Sequence, residues 1–164
     1  MRFPLDIVPN VPLRPHAGSF GAIRKYDIHT GVDLYAPDMT PVYAMTDGVV
    51  MDLGVFTGPE AGSEWWNTTW YIVVGPKEHS FGWTILYGEV YEPQHKKGDV
   101  IKEGEFLGYV KEVLKKDKGL PMSMLHVESY TKYVEPVWWK LNERKPDGLI
   151  DPTTILESCR ERKI

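Results

Sequence analysis

The sequence predicts an all-β protein, and three observations carry that expectation. Its 15 glycines and 13 prolines fall between short runs rich in Val, Ile, Tyr and Trp, the way turns punctuate a chain of short strands. Helical patterns are scarce and confined to short pieces near the C-terminus. Two glycine turns, Lys97-Gly98-Asp99 and Glu103-Gly104-Glu105, bracket a very short strand, a meander from which compact barrels are built. With 164 residues the chain is long enough to bury a core unaided, so one domain is expected over 1–164. Residues 1–15 read as an N-terminal extension, and 132–164 as a C-terminal extension packed on the domain.

Taken in order, "DIHTGVDLYAP" (Asp27 to Pro37) fits either a strand carrying a metal-binding pair or a polar turn between two strands. "PVYAMTDGVVMDLGVF" reads as two short strands around the Asp47-Gly48 turn. The loop from Thr57 to Thr68 contains Glu60, Glu64, Trp65 and Trp66; loops of this length are exposed and often carry binding. "TWYIVVGP" is a continuous apolar run expected in the core, and "FGWTILYGEV" is placed to pair with it as a hairpin. The basic run Lys111 to Lys118 reads as a solvated loop. "SMLHVESYT" alternates, placing Met124, His126 and Glu128 on one face and Leu125, Val127 and Ser129 on the other. Helical pieces are expected at Glu135 to Leu141 and at Pro152 to Glu161, the second capped by Asp151.

Composition excludes several classes. The 19 Lys and Arg against 23 Asp and Glu give a net charge of -4, with both signs interspersed, which argues against a nucleic-acid partner. Cys159 is the only cysteine, so an internal disulfide and a cysteine-based zinc site are both ruled out. No segment reaches the roughly 20 apolar residues that cross a bilayer, so membrane insertion is not expected. The first residues, "MRFPLDIVPNVPLRP", lack an apolar run of signal-peptide length. As written the chain reads as cytoplasmic; removal of a leader would place it in the cell envelope or outside.

On a strand, His29 and Asp33 share one face, and imidazole plus carboxylate suits zinc. A third ligand is needed, and His126 is the best placed of the remaining histidines. Three protein ligands with one open position is the catalytic zinc pattern. Alone, the His29-Asp33 pair is far more often a hydrogen-bonded turn than a metal site, and His126 alone is usually a satisfied strand histidine.

The wider sequence resembles the lysostaphin-type zinc endopeptidases, which cut peptide cross-bridges of bacterial cell walls. The resemblance runs in order through "FGAIRKYDIHTGVDLYAPDMTPVYAMTDGVV", "YIVVGPKEHSFGWTILYGEV", "GDVIKEGEFLGYV", "MLHVES" and "GLIDPTTIL". It implies a half-open antiparallel β-barrel or sandwich, the duplicated hybrid motif, with Zn2+ held in a groove by His29, Asp33 and His126. The implied partner is a peptidoglycan peptide, or another peptide or glycan.

Two positions depart from the family pattern, which has histidines that activate water and stabilise the oxyanion. Met124 stands at the first position of the His-x-His motif, and Glu89 in "LYGEV" stands where another histidine is expected. Methionine can neither act as a base nor donate to an oxyanion. A carboxylate beside a metal's water is an established general base, so Glu89 is the candidate catalytic group; as a fourth ligand it would instead close the site and make it structural. Tyr87, Tyr130, His79 and His95 are considered as replacement donors, with His79 and His95 reading as surface residues. His16 and Arg14 lie in a segment preceding the metal strand; His16 fits a loop role better than a place near the metal, and Arg14 fits a substrate carboxylate or solvent. Tyr87, Trp65 and Trp66 are the candidate substrate contacts, since the Trp65-Trp66 and Trp138-Trp139 pairs cannot both point inward.

Three functions compete. The first is a zinc hydrolase of peptidoglycan peptides with Glu89 as base, and the second an inactive relative using its groove to bind a glycan, peptide or protein. The third, a lipoyl- or biotinyl-type carrier, needs a modifiable lysine at a hairpin tip, which the Asp47-Gly48 turn does not offer.

Overall fold

A computed structural model describes residues 1–117, 119 and 121–164. Beside a 3-10 turn at Pro59–Ala61, its described residues form eleven strands and one C-terminal α-helix. In chain order these are β1 (Asp27–Ile28), β2 (Val32–Tyr35), β3 (Pro41–Tyr43), β4 (Gly48–Thr57), β5 (Thr69–Gly75), β6 (Thr84–Val90), β7 (Val100–Ile101), β8 (Phe106–Tyr109), β9 (Met124–Tyr130), β10 (Trp139–Lys140), β11 (Leu149–Ile150) and α1 (Thr153–Lys163). All strand pairs are antiparallel. The main sheet runs β11-β9-β6-β5-β4-β7, with β2 added to β9, and does not close into a barrel. The all-β, half-open expectation therefore stands.

The alternating and apolar runs explain the layout. β5 places Ile72, Val73 and Val74 at zero exposure in the sheet centre and pairs with β6 as the expected hairpin. The strands on either side of Asp47-Gly48 also form, but they part company: β3 pairs with β8, whereas β4 pairs with β5 and β7. Both ends of the chain join the core. Phe3 and Leu5 are buried near the start, and α1 contributes Leu156 and Cys159. No helix among the described residues is long and apolar enough to cross a membrane.

Three expectations are corrected. The segment Glu135 to Leu141 is not helical: Trp139 and Lys140 form β10 against β1. Pro136 deprives that segment of an N–H and disfavours helix at the residue before it, and the tertiary pairing supplies the alternative. The run from Lys111 is not uniformly solvated either, because Val113 is buried and Leu114 bridges to Trp66; its last residue, Lys118, lies outside the described residues. The second helix forms, over Thr153–Lys163 with Pro152 and not Asp151 at the N-cap position, although the Asp151 carboxylate accepts the Thr153 N–H at 2.9 Å.

Candidate metal centre

β2 and β9 lie side by side with Asp33 directly opposite His126, so register alone puts both side chains on one face. His29 precedes β2 across the Thr30-Gly31 link. Gly31 has no substitute there: a Cβ would stand 2.4 Å from the Val127 carbonyl oxygen and 2.8 Å from the His126 ring. The glycine between the two early residues is what lets the segment approach β9 closely enough for the three to meet.

They meet as a nearly equilateral triangle. His29 Nε2 lies 3.1 Å from His126 Nδ1 and 3.1 Å from Asp33 Oδ1, and His126 Nδ1 lies 2.9 Å from Asp33 Oδ1. Ligand atoms about 2.0–2.1 Å from a tetrahedral zinc stand about 3.3 Å apart, so the three donors need to spread by only a few tenths of an ångström. Nitrogen, nitrogen and carboxylate oxygen are donors zinc accepts. All three residues are buried.

Each donor is aimed by a partner on its far side. His29 donates Nδ1–H to the Ser19 carbonyl at 2.9 Å, which leaves the Nε2 lone pair facing the centre. His126 Nε2 bonds Glu128 Oε1 at 2.9 Å, and Glu128 also accepts from the hydroxyls of Thr30 and Tyr130. Asp33 Oδ2 takes the Arg24 guanidinium at 3.1 Å, and Oδ1 faces the two imidazoles. Such outer partners fix orientation and basicity of metal-binding groups. The phenyl ring of Phe56 packs on the His126 ring at 5.2 Å. Replacing Glu128 by Gln is expected to lower zinc affinity about 10- to 100-fold without unfolding the sheet, measurable by competition with a chromophoric chelator.

Without an ion the same geometry is a proton trap. Burial opposes charge on Asp33, but hydrogen bonds from His126 and His29 outweigh it and hold the carboxyl well below its usual range. Burial keeps His29 neutral, pushing its pKa down. Burial also opposes a charged His126, yet the flanking Asp33 and Glu128 carboxylates win and push it up to about 10.

The centre opens onto a groove of about 350 Å³ whose walls include Asp33, Arg24, His16, Tyr35, Glu89 and Met124. Glu89 reaches it by a distortion of β6. Gly88 and Val90 pair with Tyr71 and Trp70, so Glu89 is the extra residue of a bulge, with φ of 61°. A bulged side chain is re-aimed out of the sheet's alternation, and left-handed backbone at a non-glycine residue is strain of the kind functional sites hold. Glu89 Oε2 is buried with no hydrogen-bond partner among the described residues. Burial, then the charge of Asp33, push its carboxyl up to about 8. It does not join the three-donor cluster, which disfavours the closed four-ligand site.

The remaining expectations divide. Trp66 lines the groove with Glu89, whereas Trp65, 82% exposed, sits in a neighbouring depression beside Lys115 and Lys116. Tyr87 is not brought to the site: it pairs with Val127 and so faces away from His126, in the core, where its hydroxyl accepts the Met45 N–H at 2.7 Å. Tyr130 is spent on Glu128. His79 is exposed beside Glu78, as read; His95 is instead half-buried near Glu105, away from the groove, its Nδ1 without a hydrogen-bond partner among the described residues. Arg14 donates to the Phe20 carbonyl at 3.2 Å. Arg24 and Tyr35 were not anticipated; Tyr35 was legible in principle, two residues after Asp33 on the same strand face.

The antiparallel half-open β-fold carries a His-Asp-His cluster beside a groove, with Asp33 on the groove wall, a candidate metal centre. The sequence model of Peptidase family M23 matches residues 27–136, more than half of the chain and the span holding all three donors. The chain belongs to peptidase family M23. Among solved structures it is similar to the antimicrobial peptidase lysostaphin from Staphylococcus simulans (18% identity, TM-score 0.58, 92% of this chain and 50% of that one). It is similar also to LytU (18%, TM-score 0.57, 95% and 91%) and to a zinc containing peptidase from Vibrio cholerae (22%, TM-score 0.52, 78% and 35%). At these identities the likeness is one of fold, and the chain spans half the length of the lysostaphin it matches. No curated protein matches it in sequence.

Proposed function

We propose that the chain is a zinc-dependent hydrolase of peptide bonds, with peptidoglycan peptides as substrate and Glu89 in the proton-transfer role. The observation that carries this reading is the triangle of His29 Nε2, Asp33 Oδ1 and His126 Nδ1, about 3 Å on each side, beside a groove walled by Glu89, whose buried Oε2 has no hydrogen-bond partner among the described residues. The fit of the donors supports zinc, which when bound supplies a Lewis acid for a peptide carbonyl and lowers the pKa of water.

The chain's own residues then have distinct tasks. His29 and His126 offer neutral lone pairs once His126 gives up its proton. Asp33 supplies the negative charge, and Arg24 holds its second oxygen. Glu89, poised near neutrality, is suited to accept a proton from attacking water and return it to the leaving amine. A nearby divalent cation pulls that carboxyl down from about 8 and favours the ionised form needed first. Trp66 and Tyr35 offer aromatic walls for an extended peptide.

A second reading, a groove that binds glycan, peptide or protein without cutting it, is favoured by Met124, which lines the groove without a titratable group. Cleavage of pentaglycine and of purified cell-wall sacculi, before and after dialysis against a chelator, separates the two. The hydrolase reading expects zinc-restored cleavage; stoichiometric zinc with no cleavage supports the binding reading.

A further inference from the structure

One imidazole stands on the wall of the groove. His16 comes from the loop before β1 and lines the groove together with Asp33, Glu89 and Met124. That loop is bolted to the metal centre. The Gly18 carbonyl accepts the Asp33 N–H at 2.9 Å, and the Ser19 carbonyl accepts His29 Nδ1–H at 2.9 Å. His16 itself is held at both ends: its N–H donates to Leu13, and its carbonyl accepts the Ser19 N–H at 3.0 Å and hydroxyl at 2.7 Å. Its ring leans on Tyr35, centroids 5.6 Å apart. Gly18 permits the approach, since a Cβ there would stand 3.2 Å from Asp33 Cβ and closer still to the Tyr35 hydroxyl.

The tautomer follows from a hydrogen bond. The Gly18 N–H donates to His16 Nδ1 at 3.0 Å, so Nδ1 must be the lone-pair nitrogen and the neutral ring carries its hydrogen on Nε2. A neutral imidazole fixed as an Nε2–H donor on a metal groove has the chemistry of an oxyanion stabiliser, not of a base. Glu89 can move a proton, but an ionised carboxylate cannot donate to a developing alkoxide.

We propose that His16 is a catalytic residue of this chain, its Nε2–H donating to the carbonyl oxygen of the scissile peptide as negative charge builds there. This rests on the hydrolase reading above, and the test is built so that the two failures are distinguishable. Wild type, His16→Ala, His16→Gln and Tyr35→Phe are compared for metal content, for kcat and KM on a glycyl peptide, and for binding of a phosphinate analogue whose tetrahedral oxygens mimic the charged intermediate. Loss of one oxyanion donor costs about 100- to 1000-fold in kcat. His16→Ala is expected to show that loss with KM and zinc content unchanged, and at least about tenfold weaker phosphinate binding with substrate-peptide affinity retained. His16→Gln, which keeps an N–H donor, should recover part of both.

Cleavage and phosphinate binding within about twofold of wild type in His16→Ala, or a deficit carried by Tyr35→Phe instead, would overturn the assignment while leaving the hydrolase reading intact. If wild type does not cleave but its phosphinate affinity collapses in His16→Ala, the hydrolase reading falls and His16 is a donor to bound oxyanions, which overturns its catalytic assignment. Phosphinate bound no better than substrate peptide by wild type overturns the donor assignment too.

Discussion

Glu89→Gln is expected to lower kcat by about a hundred- to ten-thousandfold while leaving one zinc per chain and an unchanged melting temperature. The amide keeps the size and the bulged backbone but cannot take a proton. The carboxyl is not in the donor triangle, so metal content should not move, and its buried Oε2 has no hydrogen bond among the described residues to lose. Its elevated pKa sets the shape of the pH profile. In the metal-free protein the group titrates about 8, lifted by burial and then by Asp33, so activity should rise with pH through a lower value once the cation stabilises the carboxylate. In the variant that acid limb should vanish. Steady-state kinetics from pH 5 to pH 9, with zinc measured in the same samples, reads both.

Asp33→Ala is the second large effect, and it acts on the ion. The aspartate supplies the only negative charge in the triangle and is hydrogen-bonded to both imidazoles. Zinc content should drop from one ion per chain to background, and cleavage with it, because two imidazoles alone leave too few ligands. Wild type offers a companion pH signature. His126 holds a proton up to about 10 in the metal-free protein, whereas His29 is neutral and Asp33 ionised, so each zinc bound near neutral pH displaces one proton. Apparent affinity should then climb up to about tenfold per pH unit between pH 7 and 9. Stability of the metal-free protein runs the opposite way: the raised His126 pKa stabilises the fold below the unfolded value of about 6.5, and that contribution disappears as pH rises towards 10. Calorimetry in buffers of different ionisation enthalpy counts the proton.

Much of this architecture was legible because side-chain alternation is a local signal. β5 and β6 announce themselves as adjacent apolar runs, and the alternation of β9 correctly separates His126 and Glu128 from Leu125 and Val127. The same rule, applied across the β6–β9 register, removes Tyr87 from the groove, but that register cannot be read from one strand. Glu89 shows the complementary failure. Its left-handed bulge takes it out of alternation, so its aim into the groove follows from tertiary pairing and not from its own neighbours. Tertiary pairing likewise recruits Trp139 into a two-residue strand where the local sequence suggested helix. Arg24 was hidden for a further reason, and His16 could be named without being placed: loops before β2 have no period, and the contacts of Gly18, Ser19 and Arg24 with Asp33 and His29 are what make this loop part of the centre. Glu128 was placed on the right face without being given its task, which needs the 2.9 Å contact to His126 Nε2 to be seen.

Zinc K-edge X-ray absorption of the protein loaded with one equivalent tests the shared ion most directly. The predicted spectrum has four nitrogen or oxygen neighbours at about 2.0–2.1 Å, with outer-shell scattering from two imidazoles that falls to one in His126→Ala. A chain that retains no zinc through gel filtration, or a spectrum with no imidazole scattering, would contradict the convergence of His29, Asp33 and His126 on a single ion.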